Sequence, residues 1–446
     1  MVQILNQAQE NELLKADRAA IVDAMSNLRF ASTDCWLAAA HNAALGVEKE
    51  HKPGGVSALS AADLSDYLAV AAPTHCADGW GYLSRALQAY ILGDAHSAWH
   101  FGYYAELRAA QSILSASGCG AFNSWNCVLD SSGVVFSIPG NLPTHVMVWL
   151  ALRCLSERAP SASASIASAT RILGESIPDI VQYAYPGRVR TATSSSWINE
   201  WLFDLQSSSE DKSFRNRCSY NPHMATPHLA NIADCVEWIS SLWQILLPSP
   251  GATFMELDKH VVRSVLRREA RQSLSLNGNN GGVISNDLVE VELRAAYERI
   301  LASAPTFSSI PIDFIADMRE DEHPLLLHAR DGIASPLTPR PVLARATLLL
   351  RIATGITQNL LVDANQLDQL GFWLDGLAMR QGIVNENSEI PQDRSDFYMD
   401  CAIASEDFEK IYSSGNTTRA SLMANSRTKI HLLSQAERVI QWGFSS

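Results

Sequence analysis

Two arginines, an asparagine, a tyrosine and a histidine lie within one short segment, SFRNRCSYNPH, residues 213–223. A histidine that titrates near neutrality can take the proton of a ribose 2′-hydroxyl or return one to the leaving oxygen. An arginine can hold the phosphate and stabilise the charge that develops on it. Arg217 and His223, separated by five residues, are therefore typical of a metal-independent ribonuclease, with Asn216 placed to orient either group.

In the alternative interpretation, the same segment only fixes a turn. Arg215 or Arg217 then pairs with a carboxylate, and Tyr220 packs at the edge of the core. Pro222 disfavours helix at the residue before it, so a loop would have to bring Arg217 and His223 together. The residue types alone leave both interpretations open.

A second constellation is the pair His96 and His100, four residues apart on a predicted helix. Two histidines at this spacing can share a zinc ion. The metalloprotease motif requires glutamate directly after the first histidine, and Ser97 stands there. No third ligand is evident in the sequence, and we predict no metal and no other cofactor. We expect one of the two histidines to hydrogen-bond in a groove beside Tyr103 and Tyr104, and we assign His100 a supporting role.

Glu106 is a charged residue in an otherwise apolar part of the same predicted helix. Charged side chains in a core helix are usually paired when they are buried. We therefore predict an ion pair between Glu106 and Arg217 or Arg215, which would join this helix to the 213–223 segment. Glu106, Arg215 and Tyr220 are the further supporting residues of the predicted site.

Two other histidine-containing stretches favour solvent-exposed helix faces. In EDEHPLLLHAR, residues 320–330, His323 follows three acids and precedes a proline, which is typical of a helix start. In RTKIHLL, Arg427 and His431 are four residues apart, a shorter spacing than that of the ribonuclease pair.

Composition excludes several classes of protein. The chain has 446 residues and a net charge of -13, so it cannot coat nucleic acid non-specifically, and any phosphate site must be a local basic pocket. Its eight cysteines include no CxxC pair, which argues against a zinc ribbon and against a dense disulfide framework. P-loop, dinucleotide-binding GxGxxG and GxSxG motifs are absent from the sequence.

Helical signals dominate the chain. The strongest helix is predicted between Gly93 and Gly118, with Asp94 as its cap and Gly118 as its end. CVLDSSGVVFSIPG predicts two short strands around Ser-Ser-Gly, within residues 126–140. The predicted fold class is mainly α: a helical bundle with a small β element and a second helical region.

The length favours more than one domain. The segment LPSPGA, which begins at Leu247, breaks the helical pattern and marks one boundary. We predict an N-terminal helical region over residues 1–84, a helical domain over 85–248 and a C-terminal helical domain over 249–446.

The combination of AWHFGYYAELRAAQSILSASGCGAFN, residues 98–123, with SFRNRCSYNPH resembles helical bacterial proteins of the HEPN superfamily, in particular its YaaC-like members. The resemblance covers about residues 85–250. It implies an α-helical bundle that often dimerises, and in active members a metal-independent ribonuclease of phage defence or toxin–antitoxin systems. Arg217 matches the motif arginine and His223 the motif histidine. Cys218 follows the arginine, where active members commonly place a polar residue.

Our first interpretation is thus a HEPN-like metal-independent endoribonuclease with RNA as substrate, a homodimer, and an antitoxin or other defence protein as a further partner. The alternative is a non-catalytic scaffold of the same fold that binds a ligand or a partner. The N-terminus is polar and acidic, and no apolar run approaches the roughly 18 residues of a membrane helix. We therefore expect a cytoplasmic protein without a membrane partner.

Overall fold

The computed structural model describes the chain over residues 4–31, 35–41, 60–122, 125–140, 142–158, 166–187, 212–218, 231–249, 253–276, 284–318, 323–330, 338–385, 389–413 and 418–444. These residues are mostly helical, with a few short strands, which confirms the mainly α fold class. His223 and Tyr220 lie outside the described residues.

The first half of the described chain contains seven labelled helices and one short helical segment. The helices are α1 (Gln7–Leu13), α2 (Ala19–Asn27), α3 (Ala61–Leu92), α4 (Ala95–Ala116), α5 (Thr144–Arg158), α6 (Ile166–Ala169) and α7 (Ile177–Ala184). Residues 212–218 form the short segment, here called the 212–218 helix.

The second half is helical in the same way. Its helices are α8 (Ile232–Ile245), α9 (Met255–Leu276), α10 (Asn286–Ser303), α11 (Ile312–Ala316), α12 (Pro324–Arg330), α13 (Arg340–Asp363), α14 (Gly371–Arg380), α15 (Asp396–Ser413), α16 (Arg419–Asn425), α17 (Arg427–Ser434) and α18 (Val439–Gly443). Single 3₁₀ turns occupy Pro305–Ser309, Leu367–Gln369 and Ala436–Arg438.

Two small antiparallel sheets interrupt the helices. Strands β1 (Cys119–Ala121), β2 (Asn126–Leu129) and β3 (Val135–Ser137) form the first, in the order β1-β2-β3. Strands β2 and β3 confirm the β element predicted within residues 126–140. The second sheet pairs β4 (Arg171–Ile172) with β5 (Glu175–Ser176).

Helix α4 begins and ends where the sequence predicts. The side chain of Asp94 accepts a hydrogen bond from the backbone N–H of Ser97 at 3.0 Å, which caps the helix. Gly118 follows the helix with φ +80, a conformation that glycine adopts without steric cost. A Cβ at Gly118 would also lie 2.5 Å from the carbonyl oxygen of Asp17. The cap and the glycine therefore fix the two ends of the helix that carries His100, Phe101 and Tyr104.

The centre of the molecule is the packing of α13 against α3 and α4. Small and hydroxyl-bearing residues allow the three helices to approach closely. Trp80 Nε1 donates to Thr354 Oγ1 at 3.0 Å, and Ser112 Oγ donates to the carbonyl oxygen of Ala72 at 2.7 Å. All these polar groups are thereby satisfied inside an apolar core.

Helix α3 crosses the first predicted domain boundary, and contacts between helices cross the second. Helix α3 runs from Ala61 to Leu92, so residue 84 lies inside a helix and not in a linker. Helix α13, from the predicted C-terminal domain, packs against α3 and α4, and buried apolar residues from Leu13 to Phe444 form one continuous cluster. The division into three domains stays a prediction, and it has to accommodate these contacts.

Among the residues that the structure describes, we find no helix that combines the length and the apolar character needed to cross a membrane.

Candidate functional site

The 212–218 helix is anchored to α4 by Phe214. This ring is 1% exposed and meets the ring of Trp99 at 5.1 Å between centroids and that of His96 at 6.3 Å. An aromatic side chain that is buried so completely fixes the segment through its apolar surface. The sequence neighbours of Phe214 are therefore held against the same helix.

Arg215 lies across two tyrosines of α4. Its guanidinium carbon is 5.0 Å from the ring centroid of Tyr103 and 5.4 Å from that of Tyr104, and Nη1 donates to the hydroxyl of Tyr104 at 3.5 Å. The residue is 8% exposed. Cation–π contacts of this kind stabilise a desolvated guanidinium. The stacking of Arg215 on the two tyrosines was not anticipated from the sequence, and the supporting role of Arg215 stays a prediction.

Half-buried rings continue from Tyr104 onto α3. The ring of Tyr82 stacks on that of Tyr104 at 5.3 Å, and the ring of His100 lies 5.1 Å from Tyr104. Phe101 is 5.3 Å from His100, and the exposed guanidinium of Arg85 covers Tyr82 at 5.2 Å. We call this surface the aromatic–arginine face, which consists of Tyr82, Arg85, His100, Phe101, Tyr104 and Arg215.

The charge of Arg215 acts on two histidines, His100 on this face and His145 on α5, and favours the neutral form of each. Burial lowers the pKa of His100, and the positive charge of Arg215 lowers it further. The pKa of His145, in the first turn of α5, is lowered by burial and then by the charges of Lys212 and Arg215. Burial and the charge of Arg215 also lower the pKa of Lys212. The site therefore combines neutral imidazoles with positive charge.

Arg217 is exposed and stacks on the ring of Phe214 at 5.0 Å. Its neighbour Asn216 is half-buried. Both predicted residues belong to the 212–218 helix and stand beside α4. Their geometry relative to the histidine at 223 falls outside the described residues, so the pairing of Arg217 with that histidine stays a prediction.

Glu106 forms its ion pair with an arginine that the sequence analysis did not consider. Its carboxylate accepts from Nε of Arg345 at 3.0 Å, and the two side chains are 3% and 6% exposed. The predicted ion-pair partners were Arg217 and Arg215. Because Arg345 belongs to α13, Glu106 ties α4 to the centre of the molecule. The supporting role of Glu106 in the predicted site stays a prediction.

The two histidines of α4 differ in environment. His96 is 6% exposed beside Phe214, whereas His100 is half-buried on the aromatic–arginine face. In the described part of the chain, no group of three or more histidine, cysteine or acidic side chains is arranged to hold a metal ion.

Four residues at or near the site were not predicted from the sequence: Tyr82, Arg85, His145 and Lys212. Tyr82 and Arg85 are three residues apart on α3, a spacing that places them on one helix face. That signal was readable, but only packing against α4 brings them beside Tyr104. Nothing in the sequence near His145 indicates its approach to Lys212.

Comparison with protein-family models, with curated proteins and with solved structures found no match to this chain. The chemistry of the site therefore has to be argued from its own residues. Stacked rings flanked by guanidinium groups are suited to planar bases joined by phosphates.

Proposed function

We propose that this protein binds single-stranded RNA on the aromatic–arginine face and cleaves it without a metal ion. The observation that supports the proposal is the juxtaposition of half-exposed rings with the cations Arg85 and Arg215. Base stacking on aromatic side chains contributes about 1–3 kcal/mol per base and tolerates any sequence. Single strands, whose bases are free to unstack, are the form of RNA that such a surface recognises.

The overall charge of -13 restricts the contact with phosphate to a small area. Lys212, Arg215 and the exposed Arg217 supply positive charge on one short segment. Arginine suits this role because its planar guanidinium can bind two phosphate oxygens at once. We expect a short footprint and affinity that falls as salt rises.

Cleavage needs a base that is neutral at physiological pH. The lowered pKa of His145 and of His100 keeps both imidazoles able to accept a proton. In the proposed step, an imidazole takes the proton of the ribose 2′-hydroxyl and the 2′-oxygen forms a bond to phosphorus. The bond from phosphorus to the 5′-oxygen breaks, and a second acid protonates that oxygen. His223, matched by the HEPN resemblance, is the proposed partner acid, and Arg217 stabilises the phosphate charge.

The HEPN resemblance is also the basis for a role in phage defence or in a toxin–antitoxin pair, and for a homodimer. These remain proposals that rest on the motif residues alone. Analytical ultracentrifugation of the purified protein tests the dimer directly.

A non-catalytic RNA- or partner-binding protein is the second candidate. The burial of Arg215 between two tyrosines favours it, because such an arginine stabilises a surface without reaching a scissile phosphate. This candidate predicts binding by the same face with no cleavage.

Incubation of the purified protein with single-stranded RNA in EDTA separates the two candidates. We expect cleavage by the wild type to products with 2′,3′-cyclic phosphate ends. Arg217→Ala and His223→Ala should each lower the rate about 100-fold or more, the usual contribution of a phosphate-stabilising or acid–base group. The exposed Arg427→Ala serves as the matched control and should cleave as the wild type does.

Binding without cleavage would reject the nuclease and support the second candidate. Cleavage that survives both Arg217→Ala and His223→Ala would show that the catalytic groups lie elsewhere. Thermal unfolding of each variant distinguishes a lost chemical group from a lost fold.

A further inference from the structure

A pocket of about 460 Å³ lies where two helices end, between the C-terminus of α2 and the turn that follows α13. This volume is in the range of small-molecule sites. None of the described residues that line the pocket is acidic, and most of its wall is polar. Among the lining residues are Ser26, Arg29, Phe30, Asn365, Gln366 and Gln369. The pocket is thus suited to a polar ligand.

Gln366 holds the two helix ends together. Its side chain is 4% exposed, and Nε2 donates to the carbonyl oxygens of Met25 and Ser26 at 3.3 Å and 3.2 Å, in the last turn of α2. Its backbone N–H donates to the carbonyl oxygen of Leu361 at 2.8 Å, which closes the end of α13. The two walls of the pocket are therefore fixed to each other by hydrogen bonds.

Arg29 is an exposed arginine of the pocket wall, and its guanidinium is already oriented by the backbone. Nη1 donates to the carbonyl oxygens of Asn27 and Leu28 at 3.2 Å and 3.0 Å. Among the described residues, Nε and Nη2 bind no acceptor, and Arg29 forms no ion pair with a carboxylate. These two nitrogens form the edge of a guanidinium that can bind two oxygens of one oxyanion.

The acids next to the pocket leave the charge of Arg29 available. Asp363, at the end of α13, forms an ion pair with Arg18 at 2.5 Å. Asp368 is exposed in the turn that follows α13, and it is not a lining residue. The local charge of the pocket is therefore positive, although the whole chain is acidic.

Two amide side chains stand on the wall that follows α13. Asn365 and Gln369 are both exposed there. Asn365 has φ +55, a left-handed conformation that asparagine tolerates better than most residues. Each amide offers both donors and an acceptor, which matches hydroxyl groups, since a hydroxyl also donates and accepts. The half-buried ring of Phe30, stacked on Phe372 at 3.9 Å, supplies an apolar part of the wall.

We propose that this pocket binds a small polyhydroxylated oxyanion, the chemistry that sugar phosphates and sugar acids share. The oxyanion binds Nε and Nη2 of Arg29, hydroxyl groups bind the amides of Asn365 and Gln369, and carbon-bound hydrogens pack on Phe30. The proposal goes beyond RNA binding and does not depend on it, because none of these residues belongs to the aromatic–arginine face.

Calorimetric titration with ribose 5-phosphate and with gluconate tests the proposal. We expect at least one of the two to bind with a Kd below about 1 mM, and the one that binds identifies a phosphate or a carboxylate as the oxyanion. Neutral ribose and inorganic phosphate each keep one half of the chemistry. Both should bind at least about tenfold more weakly, because each lacks one set of hydrogen bonds.

Three variants test the assigned contacts. Arg29→Gln should weaken binding of the anion about tenfold, because it removes the charged pair of donors. Arg29→Lys keeps the charge without the planar edge, so its affinity should fall between those of Arg29→Gln and the wild type. Asn365→Gly removes one amide and suits the left-handed backbone, so the fold should be retained and binding should weaken several-fold.

Arg427→Gln is the matched control, because Arg427 is exposed and lies outside the pocket. It should bind as the wild type does. A Kd above about 1 mM for both anions, or ribose that binds as tightly as they do, would overturn the proposal. Equal affinities of Arg29→Gln and Arg427→Gln, or of Asn365→Gly and the wild type, would overturn it as well, with each fold verified by thermal unfolding.

Discussion

Glu106 and Arg345 show how a single charged residue depends on a distant partner. They are 239 positions apart in sequence, and their buried contact joins α4 to α13. A buried carboxylate that loses its cation retains its desolvation cost without compensation. Removal of one partner of this pair is therefore expected to destabilise the fold.

We expect Glu106→Leu to lower the free energy of unfolding by about 3 kcal/mol, because it leaves the charge of Arg345 buried beside an apolar side chain. Urea denaturation measures the change. Glu406→Leu is the control, because Glu406 and Lys410 form a largely exposed pair at 3.6 Å and such pairs contribute roughly 0.5 kcal/mol or less. Equal effects of the two substitutions would refute the structural role of Glu106.

The residue types of the 213–223 segment suggested Arg215 and Arg217 as site residues. They did not predict which side chains these arginines contact. The sequence has 27 arginines by difference from its 34 basic residues and seven lysines, and nothing local distinguishes Arg345 as the partner of Glu106. Such pairings depend on helix packing across hundreds of residues. Sequence spacing alone therefore did not reveal the ion pair of Glu106 with Arg345.

At the scale of elements, local signals were sufficient where they act within one helix or hairpin. The cap at Asp94, the end at Gly118 and the strands β2 and β3 all follow from short-range chemistry. Helix α3 contains Pro73 in its interior and continues past it to Leu92. Tertiary packing on α4 and α13 outweighs the hydrogen bond that proline cannot donate.

Two glycines of α3 test the close packing of the central helices. A Cβ at Gly79 would lie 2.6 Å from Cδ2 of the buried Leu350, whereas a Cβ at Gly81 would meet nothing within 4 Å. We expect Gly79→Ala to lower the free energy of unfolding by about 1–3 kcal/mol through overpacking. Gly81→Ala should raise it by roughly 0.5–1 kcal/mol, because alanine favours helix.

Chemical denaturation of both glycine variants is the measurement. A Gly79→Ala protein as stable as Gly81→Ala would mean that α3 and α13 are not in the close contact described.

At the scale of the whole molecule, two half-buried histidines link stability to pH. Burial, followed by neighbouring positive charges, lowers the pKa of His260 to about 3 and that of His323 to about 4, and their rings lie 5.1 Å apart. The sequence pattern had suggested an exposed face for His323. In the structure its Nδ1 accepts from the backbone N–H of Leu325 at 3.2 Å, which requires an unprotonated nitrogen.

The lowered values determine the direction of the pH effect. Between about pH 6.5 and pH 4, the unfolded chain binds a proton at each of these histidines while the folded chain does not, so stability falls as pH falls. Each group contributes a loss of about 1.4 kcal/mol per pH unit in this range. His323→Asn keeps a side chain able to cap the helix, and its free energy of unfolding should decline less steeply with acid.

Urea titrations at several pH values between 7 and 5 measure the slopes. The exposed His431→Gln protein is the control and should retain the wild-type slope. Parallel curves for His323→Asn and the wild type would contradict the assignment of His323 as a half-buried histidine that is neutral in the folded protein.

The mainly α class of the whole molecule was predictable because helical periodicity is repeated along the chain. The aromatic–arginine face was not, because its residues come from α3, α4 and a separate short helix. Only the packing of these three elements brings Tyr82 and Arg85 to Tyr104 and Arg215. The sequence shows these four residues, but it does not show that they lie close together in the fold.

The most direct test of the account is fluorescence anisotropy of a labelled single-stranded RNA of about 12 nucleotides, a length in the range that such surfaces cover. We predict that Tyr82→Leu and Arg85→Gln each weaken binding about tenfold, because they remove a stacking ring and an exposed cation. Phe136→Leu is the matched control, since its half-buried ring lies under Lys15 at 4.0 Å on another part of the surface. The aromatic–arginine face is not an RNA site if the wild type does not bind at about 50 mM salt. The same conclusion follows if Tyr82→Leu and Arg85→Gln bind as tightly as the wild type and the control.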